Sequence, residues 1–286
     1  MERTLSENEA KVILDLEWRG QSTVTLAELR RPLGASESYA RYLAHRLVRK
    51  GWLERLCPGL FLLVPADRGR EGGTDTNPLT AGAVLADPYF YSFGTACSHH
   101  GLTEQVFAEI YLACRKRRRP EVIRGKRYIF ALMSERRFFG SQEVAVLGNK
   151  VQMASAERAV LDAIDRPRYA GGIGEVSGIV ARPAGQVSWK EMIQLLRRWE
   201  SSALVQRLGF FLDLHRSGIP QELRGALLEL LRPQSKVLLG SRRKWDTAGK
   251  LIPTWNVVEN VPRDLLVSHS EQPKHRVMLQ DRRGKK

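Results

Sequence analysis

Apolar residues recur at helical spacing along the first fifty positions and then give way to short apolar runs, an order that predicts helices followed by a hairpin. Ala10, Ile13, Leu14 and Leu16 mark a first helix, opened by the capping box Ser6-Glu7-Asn8-Glu9. Thr25-Leu26-Ala27-Glu28 is a second capping box, followed by Leu29. Pro32 and Gly34 then punctuate a short connection. Ser36 supplies the N-cap of a further helix running through SESYARYLAHRLVRKGW, which Gly51 ends. Trp52 to Leu56 and Leu60 to Val64 are strand-like runs, separated by Cys57-Pro58-Gly59, whose proline and glycine suit a hairpin turn. Helix, tight turn, basic helix and hairpin over Thr25 to Val64 are the parts of a winged helix-turn-helix, with the first helix completing its core.

At about 100° per residue, Ala40, Leu43, Ala44 and Leu47 share one face of the basic helix, while Ser38, Arg41, Tyr42, His45 and Arg49 share the other. One face packs and the other reaches a duplex. Arginine bonds guanine bidentately, and tyrosine, serine and histidine contact phosphates or base edges. The expected DNA-contacting set is Thr25, Ser36, Ser38, Tyr39, Arg41, Tyr42, His45, Arg46, Arg49 and Arg55. Arg46, Arg49 and Arg55 are expected on phosphates, and Ser38, Arg41, Tyr42 and His45 on bases. A winged helix also serves as a protein-docking module, and a charged helix face is also an ordinary solvated one.

Past residue 65 the pattern changes. Asp67 to Pro78 has no apolar residue apart from proline, which predicts a linker over residues 66–78. Strand-like runs follow at Glu109 to Cys114, Arg127 to Met133 and Glu143 to Leu147. Helical spacing then dominates, with Ser155 capping ERAVLDAID, Ser188 capping WKEMIQLLRRW, and further helices over Ser202 to His215 and Gln221 to Leu231. Strand character returns near Lys236 to Leu239 and Pro253 to Val258. The expected class is therefore α+β: a winged helix-turn-helix domain over 1–65, then a larger mixed α+β domain over 79–267. A polar, basic tail over 268–286 is expected to be flexible.

The chain of 286 residues carries 46 Lys and Arg against 31 Asp and Glu, a formal charge of +15, so it attracts polyanions in a salt-dependent way. No stretch approaches the roughly 20 apolar residues of a membrane span, and no secretory leader pattern opens the chain. Cys57, Cys97 and Cys114 lie far apart without paired spacing, which suits a reducing cytoplasm.

Three segments invite chemistry, and each has a plainer explanation. His99-His100, near Cys97, lacks the three or four converging ligands of a metal site, and adjacent helical histidines point about 100° apart. Asp162 and Asp165 can share a helix face as nuclease carboxylates do, yet Ala156, Ala159, Val160, Ala163 and Ile164 explain that helix as a packing element with its acids at the surface. Gly240-Ser241-Arg242-Arg243-Lys244-Trp245-Asp246 looks superficially like a nucleotidyltransferase signature, but position 248, where a second acid belongs, is Ala248. No catalytic residue, metal or cofactor is expected. A further basic cluster, Arg115, Lys116, Arg117, Arg118, Arg119, Arg124, Lys126 and Arg127, is expected in a loop between strands, where it offers a secondary nucleic-acid contact to DNA or RNA or simply aids solubility.

The runs TACSHHGLT (Thr95 to Thr103), SAERAVLDAIDRPRYAGG (Ser155 to Gly172) and QRLGFFLDL (Gln206 to Leu214), with KGWLERL, Pro-Gly and an apolar strand over Lys50 to Val64, resemble the AbiEi-type antitoxins of bacteria. The resemblance spans most of the chain. It implies an autorepressor that binds double-stranded DNA repeats upstream of its own operon. It also implies that the larger domain counteracts a co-encoded nucleotidyltransferase-like toxin without a stable complex. A metal-dependent nucleic-acid-processing enzyme delivered by its winged helix, or a protein-docking module, remains the alternative.

Overall fold

A computed structural model describes residues 4–21, 23–64, 66, 78–123, 125–146, 149–182, 187–215, 221–232 and 236–267. Most of the expected linker (67–77), Arg124 and the basic tail (268–286) lie outside the described residues.

Helix α1 (Glu7–Trp18) opens on its capping box: the Ser6 N–H donates to Glu9 Oε2 at 2.7 Å. Strand β1 (Thr23–Thr25) leads into α2 (Leu26–Arg30), where the Thr25 N–H donates to Glu28 Oε2 at 2.6 Å and the Glu28 N–H returns a bond to Thr25 Oγ1 at 3.3 Å. A single 3-10 turn over Arg31–Leu33 ends at Gly34, whose φ of 58° is left-handed and favours glycine. Helix α3 (Glu37–Arg49) follows at once, then the hairpin of β2 (Leu53–Cys57) and β3 (Leu60–Leu63). β3 lies between β1 and β2, antiparallel to both. Val12, Ile13, Leu16, Leu29, Ala40, Leu43, Ala44, Leu47, Trp52 and Phe61 fill the core between the three helices and the sheet. This is a winged helix-turn-helix, and its removal of apolar surface from water is the main force holding α3 in place.

The larger unit is built on a six-stranded mixed sheet. Its strands are β4 (Tyr89–Tyr91), β5 (Glu109–Cys114), β6 (Glu121–Ile123), β7 (Lys126–Leu132), β8 (Ser141–Val146) and β9 (Asn149–Ala154), in the order β6-β7-β5-β4-β9-β8. β5 is parallel to β7, and β4 to β9; the remaining pairs are antiparallel. Besides the short α4 (Gly82–Leu85), the helices are α5 (Phe93–His99), α6 (Ala156–Asp165), α7 (Ile173–Ala181), α8 (Trp189–Trp199), α9 (Ser202–His215) and α10 (Gln221–Leu230). A small sheet of β10 (Val237–Leu238), β12 (Val257–Glu259) and β11 (Lys250–Ile252), then α11 (Arg263–Val267), complete the described chain. The expected strand over Pro253 to Val258 begins later, because residues 253–256 form the turn between β11 and β12. The overall class is mixed α+β.

Helix α6 corrects one expectation. Two of its three acids do not sit at the surface: it packs against α5, α7, α8 and α9, so Glu157, Arg158 and Asp162 are buried along with its apolar residues, while Asp165 at its end stays partly exposed. Arg158 Nε donates to Asp162 Oδ2 at 2.9 Å, Nη1 to the Phe139 carbonyl at 3.0 Å, and the guanidinium lies 4.0 Å from the Trp199 ring centre. Ser92 Oγ also donates to Asp162. Periodicity alone cannot reveal a helix covered on every side when a buried ion pair makes one of its faces look polar.

The motif glycines have steric causes. A Cβ on Gly209 would lie 2.3 Å from the Trp255 ring, so QRLGFFLDL carries glycine where α9 meets that buried indole. In TACSHHGLT, Gly101 takes a φ of 66° and turns the chain so that the Leu102 N–H donates back to the Cys97 carbonyl at 2.8 Å.

Candidate nucleic-acid interface

Helix α3 has one buried face and one exposed, polar and basic face. Ser36 Oγ accepts from the Tyr39 N–H at 3.3 Å to start it, and Ala40, Leu43, Ala44 and Leu47 anchor its inner face. Ser38, Arg41, Tyr42, His45 and Arg49 are all exposed on the outer face. Arg41 Nη2 lies 2.6 Å from Glu37 Oε1, but both side chains are largely open to water, so the pair holds Arg41 only weakly. His45 and Arg49 have no ion-pair partner among the described residues.

The rest of the expected set is more constrained. The Thr25 and Ser36 hydroxyls are engaged as helix caps. Tyr39 packs against the core, and its hydroxyl accepts from Asn8 Nδ2 at 3.4 Å. Arg46 donates to the Tyr42 hydroxyl at 3.1 Å, and its Nε stands 3.0 Å from Glu9 Oε1. Arg55 is exposed on β2, beside a shift of register between Arg55 and Cys57 in its pairing with β3.

Two features escaped the sequence reading. Glu9, with a side chain only 2% exposed, accepts from the Ser6 amide and from Lys50 Nζ at 2.6 Å and forms an ion pair with Arg46, so one carboxylate ties α1 to the last turn of α3 and its C-cap. Burial pushes its carboxyl pKa up most strongly, but the hydrogen bonds from Lys50 and Ser6 and the Lys50 charge together hold it below the usual value. Arg30 and Arg31 are exposed in the turn that delivers α3; the signal was present as two consecutive arginines before Pro32.

Of the basic cluster expected in a loop, Arg115, Lys116, Arg117, Arg118 and Arg119 lie exposed in the loop between β5 and β6, whereas Lys126 and Arg127 belong to β7, because the chain turns into an edge strand, β6, before reaching them. Arg115 meets Glu135 at 2.7 Å, Arg118 meets Glu121 at 3.2 Å, and Arg127, beyond the loop, meets Glu109 at 3.3 Å. Lys116, Arg117, Arg119 and Lys126 have no ion-pair partner among the described residues. A positive surface with partly unneutralised charge results.

The segments that invited catalysis are held in other ways. His100 terminates α5, with its Nε2 2.7 Å from the Ala154 carbonyl oxygen. Asp162 is sealed from solvent, its carboxyl pushed up by burial against the opposing pull of Arg158 and Ser92, so it cannot hold a metal at a substrate. Among the described residues no group of three or more His, Cys, Asp and Glu is placed to bind a metal, and no helix is long and apolar enough to cross a membrane.

Residues 11–64 match the family described as "Transcriptional regulator, AbiEi antitoxin", a match that falls on the winged helix-turn-helix. No curated protein is a significant match. Among solved structures, the chain is similar to the RV2827C protein from Mycobacterium tuberculosis, with a TM-score of 0.63 at 15% identity, covering 94% of this chain and 97% of that one. At that identity the likeness concerns the fold, and it extends over both units.

Proposed function

We propose that this chain is a sequence-specific DNA-binding autorepressor and antitoxin, organised as a reader over 1–65, a linker over 66–78, an antitoxic domain over 79–267 and a basic tail over 268–286. The observation that carries the proposal is the outer face of α3: five exposed polar or basic side chains on a helix whose inner face is fully anchored. Placed in the major groove, Ser38, Arg41, Tyr42 and His45 reach base edges, while Arg46, Arg49 and Arg55 engage phosphates and set the register. Thr25, Ser36 and Tyr39 contribute through the backbone at the starts of α2 and α3, their hydroxyls being engaged within the domain. The loop at Arg115 to Arg119, with Arg124, Lys126 and Arg127, supplies the secondary phosphate contact.

The matched family description supports a regulator with antitoxin activity. By the likeness of the runs at Thr95 to Thr103, Ser155 to Gly172 and Gln206 to Leu214 to AbiEi-type antitoxins, the larger domain counteracts a co-encoded nucleotidyltransferase-like toxin in the cytoplasm without a stable complex, and the chemistry of the chain is binding rather than catalysis. A mobility-shift titration on the DNA upstream of its own gene, against random duplex, between about 50 and 200 mM salt, tests the proposal. Preference for the upstream DNA that survives the higher salt is expected. Equal binding that vanishes on both duplexes together would reject sequence-specific repression.

A further inference from the structure

The Gly240 to Asp246 segment, set aside as a nucleotidyltransferase signature, forms one wall of a cleft of about 790 Å³. The opposite wall is the turn from α6 into α7. This volume is that of a small-molecule site, which commonly occupies roughly 300–1,000 Å³.

The lining is chemically selective. Arg166, Arg168, Arg207 and Lys244 all border it. Its two carboxylates are already engaged: Asp165 stands 3.4 Å from Arg166, and Glu175 accepts from Thr103 Oγ1 at 2.5 Å with Arg182 at 4.0 Å. Arg207 spends Nε and Nη2 on the Leu238 carbonyl, at 3.3 and 3.1 Å, and makes no ion pair among the described residues. Lys244 is exposed, its Nζ 5.5 Å from the centre of the Trp245 ring, and Arg168 is exposed on the facing wall. Helix α7 begins in the cleft without a side-chain cap, and a Cβ on Gly172 would meet nothing within 4 Å, so the backbone there is open to a ligand. A cationic lining beside an indole and an open helix start matches an anion attached to a flat body.

We propose that this cleft binds a small phosphorylated ligand of nucleotide size, its phosphates held by Arg166, Arg168, Arg207 and Lys244 and its flat body lying against Trp245. The site lies apart from the DNA-reading helix and does not depend on the repressor function.

The test is calorimetric titration of the full chain with sodium pyrophosphate, ATP and adenosine. Arg207 is partly buried, so the variants chosen are the exposed pair Arg168→Ala and Lys244→Ala, combined, with Arg117→Ala/Arg119→Ala as a control on the distant basic loop. Saturable binding of pyrophosphate and ATP is expected, with adenosine much weaker. The Arg168/Lys244 variant should weaken it at least about tenfold, the loss of one charge-assisted contact, while the loop variant leaves it unchanged. No saturable binding of either phosphate probe overturns the proposal. So does adenosine binding as tightly as ATP, binding indifferent to the Arg168/Lys244 substitutions, or binding abolished by the loop variant.

Discussion

Lys50 Nζ lies 2.6 Å from Glu9 Oε2, which joins the end of α3 to the start of α1 across the winged domain. Because the Glu9 side chain is almost wholly buried while Lys50 and Arg46 keep some contact with water, the carboxylate depends on the pair more than the cations do.

Replacing Glu9 with Gln removes a buried acceptor of charged hydrogen bonds and should cost the winged domain about 1.5–3 kcal/mol at neutral pH. The Glu9 carboxyl pKa is lowered in the folded state from its ordinary 4.5, so its stabilisation is fully present above that value and is lost as pH falls below it through the folded pKa. Thermal unfolding of wild type and Glu9→Gln should differ most at neutral pH and converge in acid. A difference that stays constant or widens below pH 4.5 would contradict the role given to this carboxylate.

The exposed Arg41–Glu37 pair sets two opposed substitutions on one helix turn. Arg41→Ala should cost about 1–3 kcal/mol on the operator and much less on random duplex, if Arg41 bonds a base bidentately. Glu37→Gln should instead raise affinity for both duplexes, since it removes a negative charge from the face presented to phosphates and frees Arg41 from its partner. Parallel losses on operator and random DNA for Arg41→Ala would assign that residue to the backbone rather than to a base.

Local rules made the winged domain legible. Capping boxes at Ser6 and Thr25, the N-cap at Ser36 and the turn at Pro58-Gly59 each fix an element through neighbours in sequence, and the observed helices begin where those caps stand. What stayed hidden depends on distant partners. The Glu9–Lys50 contact joins residues 41 apart, and nothing in the spacing of Asp162 reveals that Ser92, 70 residues earlier, donates to it. The cleft lined by Arg166, Arg207 and Lys244 was invisible for the same reason: each cation reads as ordinary surface charge until the fold brings the three together.

Burial of Arg158 and Asp162 predicts a non-additive pair. Arg158→Met strands a carboxylate that has lost its cation in a fully buried site and should destabilise the larger domain by about 3–5 kcal/mol. Adding Asp162→Asn to that variant removes the uncompensated charge and should restore part of the loss, because the pair is coupled. Denaturant midpoints for the two single variants and the double variant measure the coupling. Strictly additive losses would mean that the two side chains stabilise the domain independently, contrary to their geometry.

The loop over Arg115 to Arg119 predicts a change in salt dependence rather than in sequence preference. Lys116, Arg117 and Arg119 are exposed and have no ion-pair partner among the described residues, so on binding a duplex they neutralise phosphates without first breaking a salt bridge. Each phosphate contact contributes about 0.9 to the slope of log K against log salt. Replacing the three by alanine should therefore flatten that slope by up to about 2.7 and weaken operator and random DNA alike, leaving their ratio intact. An unchanged slope would mean that the loop does not touch DNA, leaving RNA contact or solubility as its role. A changed ratio would mean that the loop reads sequence.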